Sequence, residues 1–184
     1  TPPSAKILLG GAFIACVEAD ALRSAALAAA GAQILELPGA DGRVDLLVLM
    51  QELGRQGINE VHVEAGATLN GALLAAGLVD EWVSYLAPVA LGHAARGLFN
   101  GPELTDMNQR HHFSLLDTTR LGDDLRLRLR LFKSSIGKTV QISLVAAVAN
   151  TPARAEVNDS LRPERADAPQ IVPVVVPAGA RDVV

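Results

Sequence analysis

The stretch that decides the fold reads EVHVEAGATLNGALL and occupies residues 60–74. Its opening residues predict a buried β-strand that brings the carboxylate of Glu64 to its C-terminal end, and Gly66 then marks a sharp turn into a helix. In an open α/β sheet, ligands bind in the crevice at the carboxyl ends of the strands. The segment therefore predicts a ligand site where this strand meets the helix, with Glu64 facing a pocket.

The residues after this turn suit a phosphate group. The first turn of a helix has free backbone N–H groups and the positive end of the helix dipole, and both favour anions. Gly66 allows a tight turn and a close ligand approach, while Thr68 and Asn70 can donate hydrogen bonds. The G-x-G-x-x-G fingerprint of dinucleotide sites is absent. An ordinary strand-to-helix loop, with Glu64 as a surface carboxylate that caps the helix, is therefore an equal alternative.

The composition indicates a globular protein of one domain with a tail. The chain has 184 residues, of which 49% are apolar and 20% charged, and its net charge of −4 gives no electrostatic reason to bind nucleic acid or an anionic membrane. No apolar run approaches the roughly 20 residues that span a bilayer. Cys16 is the single cysteine, so an internal disulfide and a cysteine-based zinc site are excluded. We expect no metal and a cytoplasmic location.

The first 132 residues alternate strand and helix patterns, which predicts an α/β fold with a parallel core. Strands are expected at residues 12–17, 33–37 and 81–87, and helices at 21–30 and 46–53. Residues 112–121 and the alternating residues 125–131 flank a turn, and together they predict an antiparallel hairpin. In its second strand Arg126, Arg128 and Arg130 share one face, for which we expect plain solvation.

Residues 133–184 differ in kind from the rest. They contain five of the ten prolines and no aromatic residue. Residues 140–148 have the pattern of a strand, whereas Pro173 and Pro177 stand where a central strand does not tolerate proline. We interpret this part as a poorly ordered tail of unknown origin and place a domain boundary at residue 132.

Four short motifs occur in a specific order: V-E-A-G at 63–66, L-V-D-E at 78–81, L-A-P at 86–88 and L-G at 91–92. In this order they resemble the C-terminal reductase domain of the riboflavin-biosynthesis protein RibD, over roughly residues 1–132. The resemblance implies a dihydrofolate-reductase-like fold, a three-layer α/β/α arrangement with a mixed sheet and a C-terminal antiparallel hairpin. That domain begins upstream of Thr1 in the family, so we expect this chain to be its second half. The motifs of the zinc deaminase domain found in some members do not occur in the chain.

The resemblance also implies an activity. Such enzymes use NADPH to reduce 5-amino-6-(5-phosphoribosylamino)uracil, opening the ribose into a ribityl chain, and tend to be homodimers. Matched by position, Glu64 contacts the substrate. The residues expected to hold the NADPH phosphates are Gly66, Ala67, Thr68, Leu69, Asn70, Gly71 and Ala72. The alternatives are another dihydrofolate-reductase-like reductase with a different heterocyclic substrate, and a non-catalytic nucleotide-binding or dimerisation module.

Overall fold

The structure, a computed structural model, describes residues 1–9, 11–93, 95–132, 140–148 and 174–175, and in the last two ranges it describes side chains only for 140–145. The helices are α1 (Ala21–Ala29), α2 (Leu46–Arg55) and α3 (Ala67–Ala75). The strands are β1 (Ala12–Cys16), β2 (Ala32–Glu36), β3 (Glu60–Val63), β4 (Glu81–Leu86), β5 (Phe113–Leu121), β6 (Asp124–Leu131), β7 (Gln141–Val148) and β8 (Val174–Val175). Among these residues, no helix has the length and apolar character needed to cross a membrane.

Side-chain caps explain where the first two helices begin. The Asp20 carboxylate accepts a hydrogen bond from the Arg23 backbone N–H at 2.7 Å. The Asp45 carboxylate accepts one from the Val48 backbone N–H at 3.0 Å. Both caps satisfy N–H groups that lack an acceptor within the helix, and both helices therefore start where the sequence predicts.

The chain divides into two compact units, Thr1–Leu49 with Ala153–Val184, and Met50–Pro152. In the first unit, β1 lies between β2 and β8 in a sheet in which both pairings are parallel. The hydrophobic core beside it consists of Leu8, Ala12, Ile14, Leu27 and Ala32. This unit contains none of the residues predicted to bind substrate or cofactor.

The second unit is built on a mixed five-stranded sheet in the order β3-β7-β4-β6-β5. Strands β3, β7 and β4 are parallel, and β4, β6 and β5 are antiparallel to one another in turn. The expected hairpin is therefore present as β5 and β6. The strand expected at 140–148 is β7, which lies inside the sheet with Ile142 and Leu144 fully buried. The domain boundary at residue 132 stays a prediction.

Strand β3 departs from the sequence prediction. Glu60 and His62 are exposed, whereas Val61 and Val63 are only half-buried. The residues of β3, an outer strand of this sheet, thus alternate between an exposed face and a half-buried face. The prediction of a buried strand was therefore wrong.

The row of arginines on β6 is paired rather than simply solvated. The Arg128 guanidinium donates two hydrogen bonds to the Glu81 carboxylate, from Nε to Oε1 at 2.8 Å and from Nη2 to Oε2 at 3.2 Å. Arg126 Nη2 donates to Asp117 Oδ2 at 3.0 Å. Glu81 lies on β4 and Asp117 on β5, so the strands on either side of β6 supply the carboxylates. The prediction of a solvated basic face was wrong for these two arginines.

Candidate functional site

The turn between β3 and α3 does not need glycine for conformational reasons. Gly66 is the N-cap of α3 with φ −78° and ψ 169°, an extended conformation that any residue adopts. Gly66 therefore makes no use of glycine's additional conformational freedom at this turn. A Cβ placed on Gly66 meets no heavy atom within 4 Å. Glycine is among the residues favoured at an N-cap, and the missing side chain also leaves the backbone approachable by a ligand.

The N-terminal end of α3 presents unsatisfied donors. Gly66 supplies no side-chain cap to the helix, and the first intrahelical bond runs from the Asn70 N–H to the Gly66 carbonyl at 3.1 Å. The backbone N–H groups of the three residues before Asn70 therefore have no acceptor within the helix. Such groups, together with the helix dipole, are what binds a phosphate in many nucleotide sites.

Glu64 lies just beyond β3 and is exposed. Within the described part of the chain, its carboxylate forms no hydrogen bond or ion pair. That Glu64 faces a pocket stays a prediction. Its oxygens are free to accept hydrogen bonds from a ligand that binds beside Gly66.

Asn70 is buried rather than open to a ligand, with 2% of its surface exposed. Its Nδ2 donates to the carbonyl of Ala65 and to the carbonyl of Leu98, both at 3.3 Å. Both amide hydrogens are thus directed to backbone carbonyls of the protein. Asn70 consequently acts on the site through the turn that it holds, and not through the free donors expected from the sequence.

A second segment, which we call the strap (Leu98–Asn100), lies over the first half of α3. The Asn100 backbone N–H donates to the Ala67 carbonyl at 2.9 Å, and Asn100 Nδ2 donates to Thr68 Oγ1 at 3.2 Å. The Phe99 ring lies edge-on to Trp82 of β4, with 5.0 Å between ring centroids. The sequence between β4 and β5 has no strand or helix pattern at the strap, and nothing local in it indicates which helix the strap contacts.

Gly71 is required by the packing of the strap on α3. A Cβ at this position would lie 1.7 Å from the Asn100 carbonyl oxygen and 2.6 Å from its carbonyl carbon. These distances are far below van der Waals contact, so a side chain at residue 71 would push the strap off α3. Of the seven predicted cofactor residues, Asn70 and Gly71 are thus buried beneath the strap, and Gly66 and Thr68 are exposed.

The family comparison places this chain among known proteins. Residues 1–127 match the sequence model of a family described as "RibD C-terminal domain". The riboflavin biosynthesis protein RibD of Escherichia coli is 47% identical over 95 residues, which are 52% of this chain and 26% of that protein. A Buchnera aphidicola protein named 5-amino-6-(5-phosphoribosylamino)uracil reductase is 37% identical over 87 residues, covering 47% of this chain and 42% of that protein. The chain thus spans about a quarter to two fifths of the length of these curated relatives.

Solved structures agree with that match. RibD of Acinetobacter baumannii superposes with a TM-score of 0.60 at 37% identity, covering 72% of this chain and 35% of that one. A pyrimidine reductase-like protein of Corynebacterium diphtheriae has a TM-score of 0.58 at 14% identity, covering 73% of this chain and 58% of that one, and it supports the fold alone. The dihydrofolate-reductase-like α/β fold class is confirmed by these neighbours. By its sequence match and its architecture, the chain belongs to the RibD C-terminal domain family.

Proposed function

We propose that this chain is a reductase of riboflavin biosynthesis, which uses NADPH to reduce 5-amino-6-(5-phosphoribosylamino)uracil to its ribitylamino product. The observation that carries the proposal is the uncapped N-terminus of α3, which follows Glu64 and has open space at Gly66. The family model that matches residues 1–127 includes this segment, and relatives of the chain bear this enzyme name or the name RibD. A reductase of this kind needs a dinucleotide site beside a substrate-binding group, and this segment supplies candidates for both.

The residues of the α3 N-terminus fit the phosphates of NADPH. The N–H groups of Ala67, Thr68 and Leu69, which have no acceptor within the helix, offer donors, and the helix dipole adds a partial positive charge. Gly66 leaves the backbone approachable from the open side. Asn70, Gly71 and Ala72 extend this segment into the helix, where the first two hold its shape beneath the strap. When bound, NADPH supplies the hydride for the reduction.

Glu64 is proposed to hold the substrate. Its exposed carboxylate is an acceptor for the N–H or hydroxyl donors of a pyrimidine ribosylamine. The work of this residue is to position the sugar carbon relative to the nicotinamide, which lowers the entropic cost of the transfer. No residue of the described chain is assigned a proton-transfer role.

A homodimer and a cytoplasmic location complete the proposal. The outer strand β5 carries Leu115 and Leu116, which are 60% and 40% exposed, and an edge strand with exposed leucines suits association with a second copy. The single Cys16 fits a reducing compartment. The rival readings are another reductase of this fold with a different heterocycle, and a non-catalytic nucleotide-binding or dimerisation module.

The proposal predicts a separation between binding and turnover for Glu64→Gln. NADPH affinity should stay within about twofold of the wild type, because this carboxylate contacts the substrate and not the phosphates. Reduction of the pyrimidine substrate should fall by tenfold or more, as expected for loss of about 1.4 kcal/mol or more of transition-state stabilisation. Fluorescence titration measures the NADPH affinity, and the loss of NADPH absorbance measures the turnover.

Glu60→Gln is the matched control, since Glu60 is an exposed glutamate at the opposite end of β3. It should leave both measurements unchanged. Equal losses of binding and turnover in Glu64→Gln would show that Glu64 has a different role. NADPH binding without turnover of this pyrimidine by the wild type would favour the rival readings.

A further inference from the structure

The strap brings a residue to the α3 N-terminus that neither the motifs nor the family match assigns. We propose that Asn100 is a positioning residue of the nucleotide site, which holds the Thr68 hydroxyl in the orientation that donates to a phosphate oxygen. This inference rests on the proposed function, because it needs a phosphate at the first turn of α3. It concerns affinity for NADPH and not the chemical step.

The backbone of Asn100 is held from several directions. Its N–H donates to the Ala67 carbonyl at 2.9 Å. Two residues earlier, the Leu98 carbonyl accepts from the buried Asn70 side chain at 3.3 Å. Between them, Phe99 packs edge-on against Trp82. The strap is thus tied to α3 on one side and to β4 on the other.

The close approach at Gly71 reinforces this placement. A Cβ on Gly71 would overlap the Asn100 carbonyl oxygen at 1.7 Å, so the strap backbone lies directly on the helix backbone. The Asn100 side chain therefore starts from a fixed point one turn from the helix N-terminus. From there its Nδ2 reaches Thr68 Oγ1 at 3.2 Å.

The contact decides what the Thr68 hydroxyl offers to a ligand. A free threonine side chain samples several rotamers, and both Thr68 and Asn100 are exposed, so core packing does not choose among them. A hydroxyl has one donor hydrogen and two acceptor lone pairs. When the Asn100 amide donates to one lone pair of Thr68 Oγ1, the Thr68 hydroxyl hydrogen stays available to donate to a ligand. Phosphate oxygens are acceptors at neutral pH, so a donor is what this position must present.

The inference is tested by a double-mutant cycle on the full chain with NADPH as the probe. Asn100→Ala and Thr68→Val should each weaken NADPH binding by about three- to tenfold, the worth of a single hydrogen bond. The double variant should bind as weakly as Thr68→Val alone, because Asn100 acts through Thr68. Asn100→Asp should weaken binding more than Asn100→Ala, since a carboxylate accepts the hydroxyl hydrogen and repels the phosphate.

Thermal unfolding supplies the readout that separates positioning from folding. Because both side chains are exposed, the midpoint should stay near that of the wild type in all variants. The matched control is Asn108→Ala, an exposed asparagine in the same connection between β4 and β5, which should leave affinity unchanged.

Three outcomes would overturn the inference. They are an Asn100→Ala affinity within twofold of the wild type, additive losses in the double variant, and losses that merely follow a lowered midpoint. In each of these the wild type still binds NADPH, and the proposed function stands. A wild type that does not bind NADPH would overturn the proposed function and this inference together.

Discussion

At the scale of single residues, two glycines five positions apart serve opposite purposes. Gly66 has an ordinary conformation and open surroundings, whereas Gly71 lies against the Asn100 carbonyl. The sequence predicts a glycine-containing turn but cannot distinguish these roles, because the neighbour of Gly71 comes from a loop 29 residues later. The same limit applies to Asn70, whose donors are used on the Ala65 and Leu98 carbonyls.

Replacement of Gly71 by alanine tests the strap contact. We expect the free energy of unfolding to fall by about 1–3 kcal/mol, the usual cost of overpacking a closed site, because the strap must move away from α3. Urea denaturation followed by circular dichroism measures this loss. Gly101→Ala is the control, since a Cβ there meets nothing within 4 Å. Equal stability of the two variants would contradict the contact.

At the scale of the elements, the sequence shows where apolar and polar residues alternate along a strand. It does not show which strands pair with one another. The leucine and arginine pattern of residues 125–131 correctly predicts one strand of a hairpin. The partner of Arg128, however, is Glu81, 47 residues away, and only the register between β4 and β6 reveals it. Strand β7 was likewise foreseeable at 140–148, whereas its place between β3 and β4 depends on tertiary pairing.

The L-V-D-E motif has a structural role at this scale. The Asp80 carboxylate accepts from the Ile142 backbone N–H at 2.7 Å, and the Asp80 N–H donates to the Ile142 carbonyl at 2.9 Å. Its neighbour Glu81 receives the Arg128 guanidinium. The motif that helps to identify the family thus also fastens β4 to the strands on both sides.

The hairpin predicts a pH-dependent contribution to stability. The hydrogen bond from Arg126, aided by one from Thr119, holds the pKa of Asp117 below its ordinary value of 3.8. A lowered pKa in the folded state means that the stabilisation is present above pH 3.8 and is lost as the pH falls below it. Asp117→Asn should therefore be less stable than the wild type at pH 7, and the difference should shrink toward zero in strong acid.

Urea unfolding at a series of pH values measures that difference. Asp124→Asn, at an exposed carboxylate beside the hairpin turn, serves as the control and should show no such trend. A stability difference for Asp117→Asn that does not change with pH would rule out the ion pair as its cause.

At the scale of the whole molecule, the candidate site and the family motifs lie in the unit Met50–Pro152. The family match ends at residue 127, yet β7 completes the parallel part of the sheet in this unit. The fold class followed from strand and helix periodicity together with the motif resemblance. The exposed face of β3 could not be predicted from the sequence, because exposure depends on what packs against the strand in the assembled sheet.

The most direct test of the central claim, that the α3 N-terminus binds the phosphates of NADPH, is an NADPH titration of the wild type and of Gly66→Asp. The fold has room for this side chain, and its carboxylate would cap the free N–H groups, raising stability by roughly 0.5 kcal/mol. Saturable energy transfer from Trp82 to NADPH reports binding. We predict saturable binding by the wild type and at least tenfold weaker binding by the more stable variant. Equal affinity in the two proteins, or no binding by the wild type, would contradict the claim.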